Sequence, residues 1–128
     1  MKSREDVEKL EKLIGQLNGL HAELSRLAGN SPNDELDLFK LKIVNTVLKT
    51  ASEVLGRGYL PFDDFSQFTA DDLPTNTDVT VILTQYINQA ERFRSDNVIC
   101  YADTWVYQVN GSPSDILARP PSKVGSRE

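Results

Sequence analysis

Leu10, Leu17 and Leu24 recur every seven residues, and Leu13, Leu20 and Leu27 fill the alternate inner positions. Three successive heptads with Leu at both inner sites predict a long amphipathic helix. Val7, Ile14 and Ala28 widen the stripe beyond a two-stranded seam, interrupted by His21. Such a face suits a helix packed into a bundle. Ser3 followed three residues later by Asp6 is a start signal, and Gly29-Asn30 a stop. Gly15 and Gly19 fall at outer positions inside the helix, each costing about 1 kcal/mol relative to Ala.

A second helix is expected to begin at Ser31-Pro32-Asn33-Asp34, with Ser as cap and Pro at the first helical position. Leu36, Phe39, Ile43, Val44, Val47, Leu48, Ala51, Val54 and Leu55 then follow close to helical period, up to Gly56-Arg57-Gly58. The short connection predicts that the first two helices fold back as an antiparallel hairpin. A third helix is signalled by Thr75 with Asp78, carries Val79, Ile82, Leu83, Tyr86, Ile87, Ala90 and Phe93, and stops near Ser95-Asp96-Asn97. Arg92 and Arg94 in its last turn suit the negative end of the helix dipole.

After Asn97 the pattern changes to strand-forming runs, Val98 to Ala102 and Trp105 to Val109, with Asp103-Thr104 as the expected hairpin turn. Asn110-Gly111 is a strong turn signal, and Ser114 to Ala118 can return as a third strand. An isolated hairpin is marginal in water, so Trp105, Tyr107 and Val109 are expected to pack on the helices. The fold class is therefore α+β and mainly α: a helical hairpin, a third helix and a small C-terminal antiparallel sheet of two or three strands. Residues 1–119 read as one domain, and 120–128, opening on Pro120-Pro121, as a flexible tail.

Composition adds a boundary. With 128 residues, 39% apolar and 26% charged, the chain is an ordinary globular one that needs no metal or disulfide to hold a core. The single Cys100 and the charged first residues point to a cytoplasmic setting, and no apolar run reaches the length of a membrane span.

The net charge of -5 is unevenly placed. Residues 1–60 balance, as do 98–128, and the excess lies in 61–97, where Asp63, Asp64, Asp71, Asp72, Asp78, Glu91 and Asp96 face only Arg92 and Arg94. No Lys/Arg cluster is available to displace phosphate counterions, which disfavours direct nucleic-acid binding. The acidic stretch is interleaved with Tyr59, Phe62, Phe65 and Phe68 at three-residue spacing. Phe residues turned inward with Asp pairs turned outward would give anchors beside charge, the composition of a docking site for a basic protein.

The candidate site is therefore Asp63, Asp64, Phe65, Phe68, Asp71 and Asp72. The leading expectation is a non-enzymatic accessory, inhibitory or immunity-type subunit that needs no cofactor. The alternative is a small Mg²⁺-dependent hydrolase or ligand-binding protein using the same carboxylates, although Asp63-Asp64-Phe65-Ser66-Gln67 lacks the alternating ligand register of a calcium loop. His21, the one histidine, is expected to pack or hydrogen-bond. The wide stripe of Leu10, Leu13, Leu17, Leu20 and Leu24 further predicts homo-oligomerisation.

Overall fold

The structure is a computed structural model that describes residues 1–122. Helix α1 spans Arg4–Asn30. Its cap is the expected one: the Ser3 hydroxyl accepts the Asp6 amide at 3.3 Å, and the Asp6 carboxylate accepts the Lys2 amide at 2.8 Å. At about 1.5 Å per residue the helix is about 40 Å long and runs through the middle of the molecule. It packs chiefly on α3 (Asn76–Asp96) and less on α2 (Leu38–Leu55).

This arrangement corrects the expected exposure of the leucine stripe. Leu10, Leu13, Leu17 and Leu24 are 0–1% exposed, and Leu20 is half-buried against the same core. The chain's own elements cover the surface that was expected to require a second copy. His21 lies beside this stripe, where its Nε2 and the Thr84 hydroxyl of α3 are 3.0 Å apart.

Helix α2 begins later than its sequence signal. Asp37, not Ser31, caps it, accepting the Lys40 amide at 2.8 Å. The reason is tertiary. The first amides of α3 have no intrahelical acceptor, and they take those of the connection: Asn76 N–H donates to the Asp34 carbonyl at 2.9 Å and Thr77 N–H to the Pro32 carbonyl at 3.2 Å. The buried Asn76 side chain also donates to the Ser31 carbonyl at 2.9 Å. Leu36 N–H in turn donates to the Pro74 carbonyl at 3.0 Å, and Glu35 bridges Thr75. These bonds hold residues 31–36 as a turn followed by a short bridge, so they cannot be helical.

Nor do the apolar residues of α2 form one face. Leu41, Val44, Val47, Leu48, Ala51 and Leu55 are buried, whereas Phe39 is 73% and Ile43 40% exposed.

The sheet has the order β1 (Val98–Tyr101), β2 (Thr104–Val109), β3 (Ser112–Leu117), antiparallel throughout. Its first turn is Ala102-Asp103, one residue before the expected place, with φ of 51° and 63°. The second is Asn110-Gly111 as expected, with φ of 54° and 78°. Two successive positive φ values match the right-handed twist of hairpin strands.

Pairing aligns Val98 with Tyr107 and Cys100 with Trp105 on one face, and Ile99 with Val106 and Leu117 on the other. Tyr107 is fully buried, and Trp105 and Val109 pack against the helical core as expected. The Tyr107 hydroxyl donates to the Glu11 carboxylate of α1 at 2.8 Å. Burial first, and that carboxylate second, push its pKa up to about 12.

A charged pair is buried where α3 meets the end of the chain. Arg94 is 1% exposed and bonds both oxygens of Glu91, Nε to Oε1 at 2.8 Å and Nη2 to Oε2 at 2.6 Å. Its remaining donors reach the carbonyls of Arg119 at 2.8 Å and Pro120 at 2.9 Å. Ser122 donates its hydroxyl to Glu91 Oε2 at 2.7 Å. Arg94 is thus a buried clamp and not a surface partner of the helix dipole. The expected mobile tail is held as far as Ser122, and its remainder, 123–128, lies outside the described residues. Burial alone would raise the Glu91 pKa, but the bonds from Arg94 and Ser122 outweigh it and bring the value down to about 2.

Candidate functional site

The acidic and aromatic connection leaves α2 at Gly56, whose φ of 72° suits a residue without a Cβ. A single 3₁₀ turn, Arg57–Tyr59, follows. The Tyr59 ring lies 4.9 Å from that of Phe93 on α3, with the Arg92 guanidinium 4.9 Å from its centroid. Its hydroxyl donates to Asp96 Oδ2 at 2.6 Å. This end of the segment is thereby fixed to the last turns of α3.

From there the aromatics form a relay. Phe62 meets Phe65 edge-on at 6.0 Å, and Phe65 meets Phe68 at 5.0 Å. All three pack against the core, and Phe68 is 8% exposed. Asn45 of α2 holds the backbone there as a strand neighbour would, donating to the Phe68 carbonyl at 2.7 Å and accepting the Phe68 amide at 2.8 Å. A second 3₁₀ turn, Ala70–Asp72, is closed by a capping box in which Asp72 accepts the Thr69 amide at 2.7 Å.

Asp63, Asp64, Asp71 and Asp72 are exposed, Phe65 is half-buried and Phe68 is buried. Aromatics inside and carboxylates outside is the combination the spacing allowed. Among the described residues the four carboxylates are not gathered into one cluster. Among the described residues no group of three or more His, Cys, Asp or Glu side chains is placed to hold a metal ion.

Two further features escaped the sequence reading. Asn45 carries no signal along the chain, since an Asn in mid-helix is ordinarily an indifferent residue. The exposed Phe39 and Ile43 did carry one: their four-residue spacing is offset from the Leu41, Val44, Leu48, Ala51 and Leu55 stripe, so α2 has two apolar faces.

A groove of about 550 Å³ lies between α1 and α2, with Leu13, Val54 and Phe93 among its lining and Lys9, Lys12 and Glu53 at its sides. Its mixed charge selects no ligand class. Among the described residues no helix is long and apolar enough to cross a membrane. Comparison of the chain with protein-family models, curated proteins and solved structures returned no match.

Proposed function

We propose that this protein is a non-catalytic interaction module, an accessory, inhibitory or immunity-type subunit that engages a basic protein through the carboxylates of residues 59–74. The observation that supports this reading is the manner of their presentation. Asp63, Asp64, Asp71 and Asp72 face solvent from backbone held at both ends, by Tyr59 on Phe93 and Asp96 and by Phe68 on Asn45. A pre-ordered surface loses less conformational freedom on association than a floppy acidic loop would. Exposed carboxylates also speed encounter with a cationic partner and reject anionic ones. The exposed thiol of Cys100 agrees with a reducing compartment such as the cytoplasm.

The test is retention of a basic protein from the native lysate at low salt, beside a variant with all four aspartates changed to Asn. Loss of the partner with the variant, and with wild type at high salt, is the expected result. Equal retention by both forms defeats the reading.

A further inference from the structure

Four large apolar side chains are exposed where α2 begins: Leu38 at 67%, Phe39 at 73%, Ile43 at 40% and Leu73 at 55%. The first three lie within the first two turns of α2. Leu73 joins them through the backbone. Residues 34–36 run antiparallel to 74–76, tied by Leu36 to Pro74 and by Asn76 to Asp34. One step further along that pairing sets Leu73 beside Asp37 and Leu38. The other end of the same stretch is pinned at Phe68 by Asn45, so residues 68–76 run from the middle of α2 back to the segment just ahead of it. Leu73 has φ 46° and ψ 51°, a left-handed conformation that strains a leucine. The capping box before it and the Leu36 bond after it hold it there.

Carboxylates surround this patch. Asp34, Glu35, Asp37, Asp71, Asp72 and Asp78 are all exposed on the segments that meet here. Asp37, Asp72 and Asp78 are occupied as caps, and Asp37 also pairs with Lys40 at 3.0 Å. The nearby cations are Lys40 and Lys42, and Lys42 lies with Lys49 along a shallow groove that leads from Leu38 down the flank of α2. That groove also takes in Asn45 and Gln67, and its two lysines leave Asp34, Glu35 and Asp71, which serve as no helix cap, for a partner's cations.

We propose that this end of the molecule is a docking surface for an amphipathic helix of a partner protein, its apolar stripe covering Leu38, Phe39, Ile43 and Leu73 and its flanking Lys or Arg meeting Asp34, Glu35 and Asp71. The inference rests on the interaction reading above and moves its centre from the aromatic relay, which is internal, to α2. An apolar centre with a polar, charged rim is the ordinary anatomy of a protein contact. Anchors spaced by three or four residues fit one face of a helix. Charge decides between occupants. A second copy docked about a two-fold axis would set acidic rim against acidic rim, and an anionic lipid surface is repelled for the same reason.

The probe is a synthetic amphipathic peptide of about five helical turns with a Leu stripe flanked by Lys, compared with a Glu-for-Lys version and a scrambled one. Binding is read by fluorescence anisotropy at low and high salt. The Lys peptide binds and weakens with salt, and the other two bind about tenfold or more worse. Leu38→Ser with Phe39→Ser lowers affinity by about tenfold or more, with circular dichroism and melting unchanged. Asp34→Asn with Asp71→Asn weakens binding and flattens the salt dependence, leaving the Asp72 cap in place.

Unchanged binding by the Leu38/Phe39 variant overturns the proposal, as does equal binding of the Glu peptide or no binding of any peptide. Loss only with Asp63→Asn and Asp64→Asn also overturns it, while sustaining the broader interaction reading. Salt-insensitive binding that needs Phe39 sinks the basic-partner reading and with it the chemistry proposed here. A dimer in light scattering that the Leu38/Phe39 variant dissolves assigns the patch to a second copy instead.

Discussion

Helices α1 and α2 are both long and amphipathic, yet they dispose of their apolar residues in opposite ways. In α1 the stripe of Val7, Leu10, Leu13, Leu17 and Leu24 is entirely buried, against α3 and α2. In α2 one stripe is buried and a second, offset one is left outside with Leu38, Phe39 and Ile43. The difference lies in how much of each helix is packed. Helix α1 has the more extensive contact, chiefly with α3 and also with α2, so its broad apolar face is covered. Helix α2 meets α1 and, less, α3 and the turn Arg57–Tyr59, and its Phe39 and Ile43 lie outside those contacts and meet water. Periodicity thus signals a buried face without guaranteeing that every apolar residue belongs to it.

The contrast is most easily broken on the α1 side. Leu17→Ala, at a site with no exposure, is expected to cost about 3–5 kcal/mol in urea unfolding, because the lost transfer energy adds to that of the cavity. A loss below about 1 kcal/mol would mean that α1 is not the centre of the core.

Next in size is the clamp on the neighbouring helix. Arg94→Met leaves the Glu91 carboxylate without its cation, bonded only by the Ser95 and Ser122 hydroxyls, and removes the donor from two carbonyls, at an expected cost of about 3–4 kcal/mol, part of it recovered when Glu91→Leu is added. Glu91 also sets an acid limit. Its folded pKa of about 2 lies below the ordinary 4.5, so the stability it contributes is full above pH 4.5 and lost as pH falls through 2. Glu91→Gln should therefore flatten the stability profile between those two values, and an unchanged profile would move the acid sensitivity elsewhere.

A smaller effect of the opposite sign is expected inside α3. The Tyr86 hydroxyl is buried and, among the described residues, has no hydrogen-bond partner. Tyr86→Phe removes an unsatisfied polar atom and should raise stability by about 1 kcal/mol, or the melting midpoint by about 3–5 °C. A destabilised variant would reveal a partner for that hydroxyl.

The smallest effect belongs to the outer stripe of α2. Phe39→Ser, at a residue 73% exposed, should leave stability within about 0.5 kcal/mol of wild type, whatever it does to binding. A loss of more than about 2 kcal/mol would show Phe39 to be packed, erasing the distinction between the two helices.

Much of the fold could be read from local signals. The Ser3 start, the Thr75 and Asp78 capping box and the Asn110-Gly111 turn all stand where the residues place them. So does the inward face of β2. The candidate site was legible in part. Three-residue spacing of the aromatics agrees with their common packing on the core, and the Asp pairs lie outside, but the Asn45 anchor at Phe68 went unread. No pattern in residues 59–74 records that anchor, because its other half lies 23 residues earlier in the chain.

Local signals suffice to place the starts of α1 and α3, the twisted antiparallel sheet after them and the buried stripe of α1. These depend on interactions within one helical turn, one hairpin or one repeating face, all of which adjacent residues specify. Packing between distant segments sets the start of α2 at Leu38, buries Arg94 as a clamp and leaves Phe39, Ile43 and Leu73 outside. Each of those outcomes is a competition between local preference and partners distant in the chain. Ser31 is a good cap, but the unsatisfied amides at the start of α3 claim the backbone beside it, and a helix cannot form where its carbonyls are already engaged.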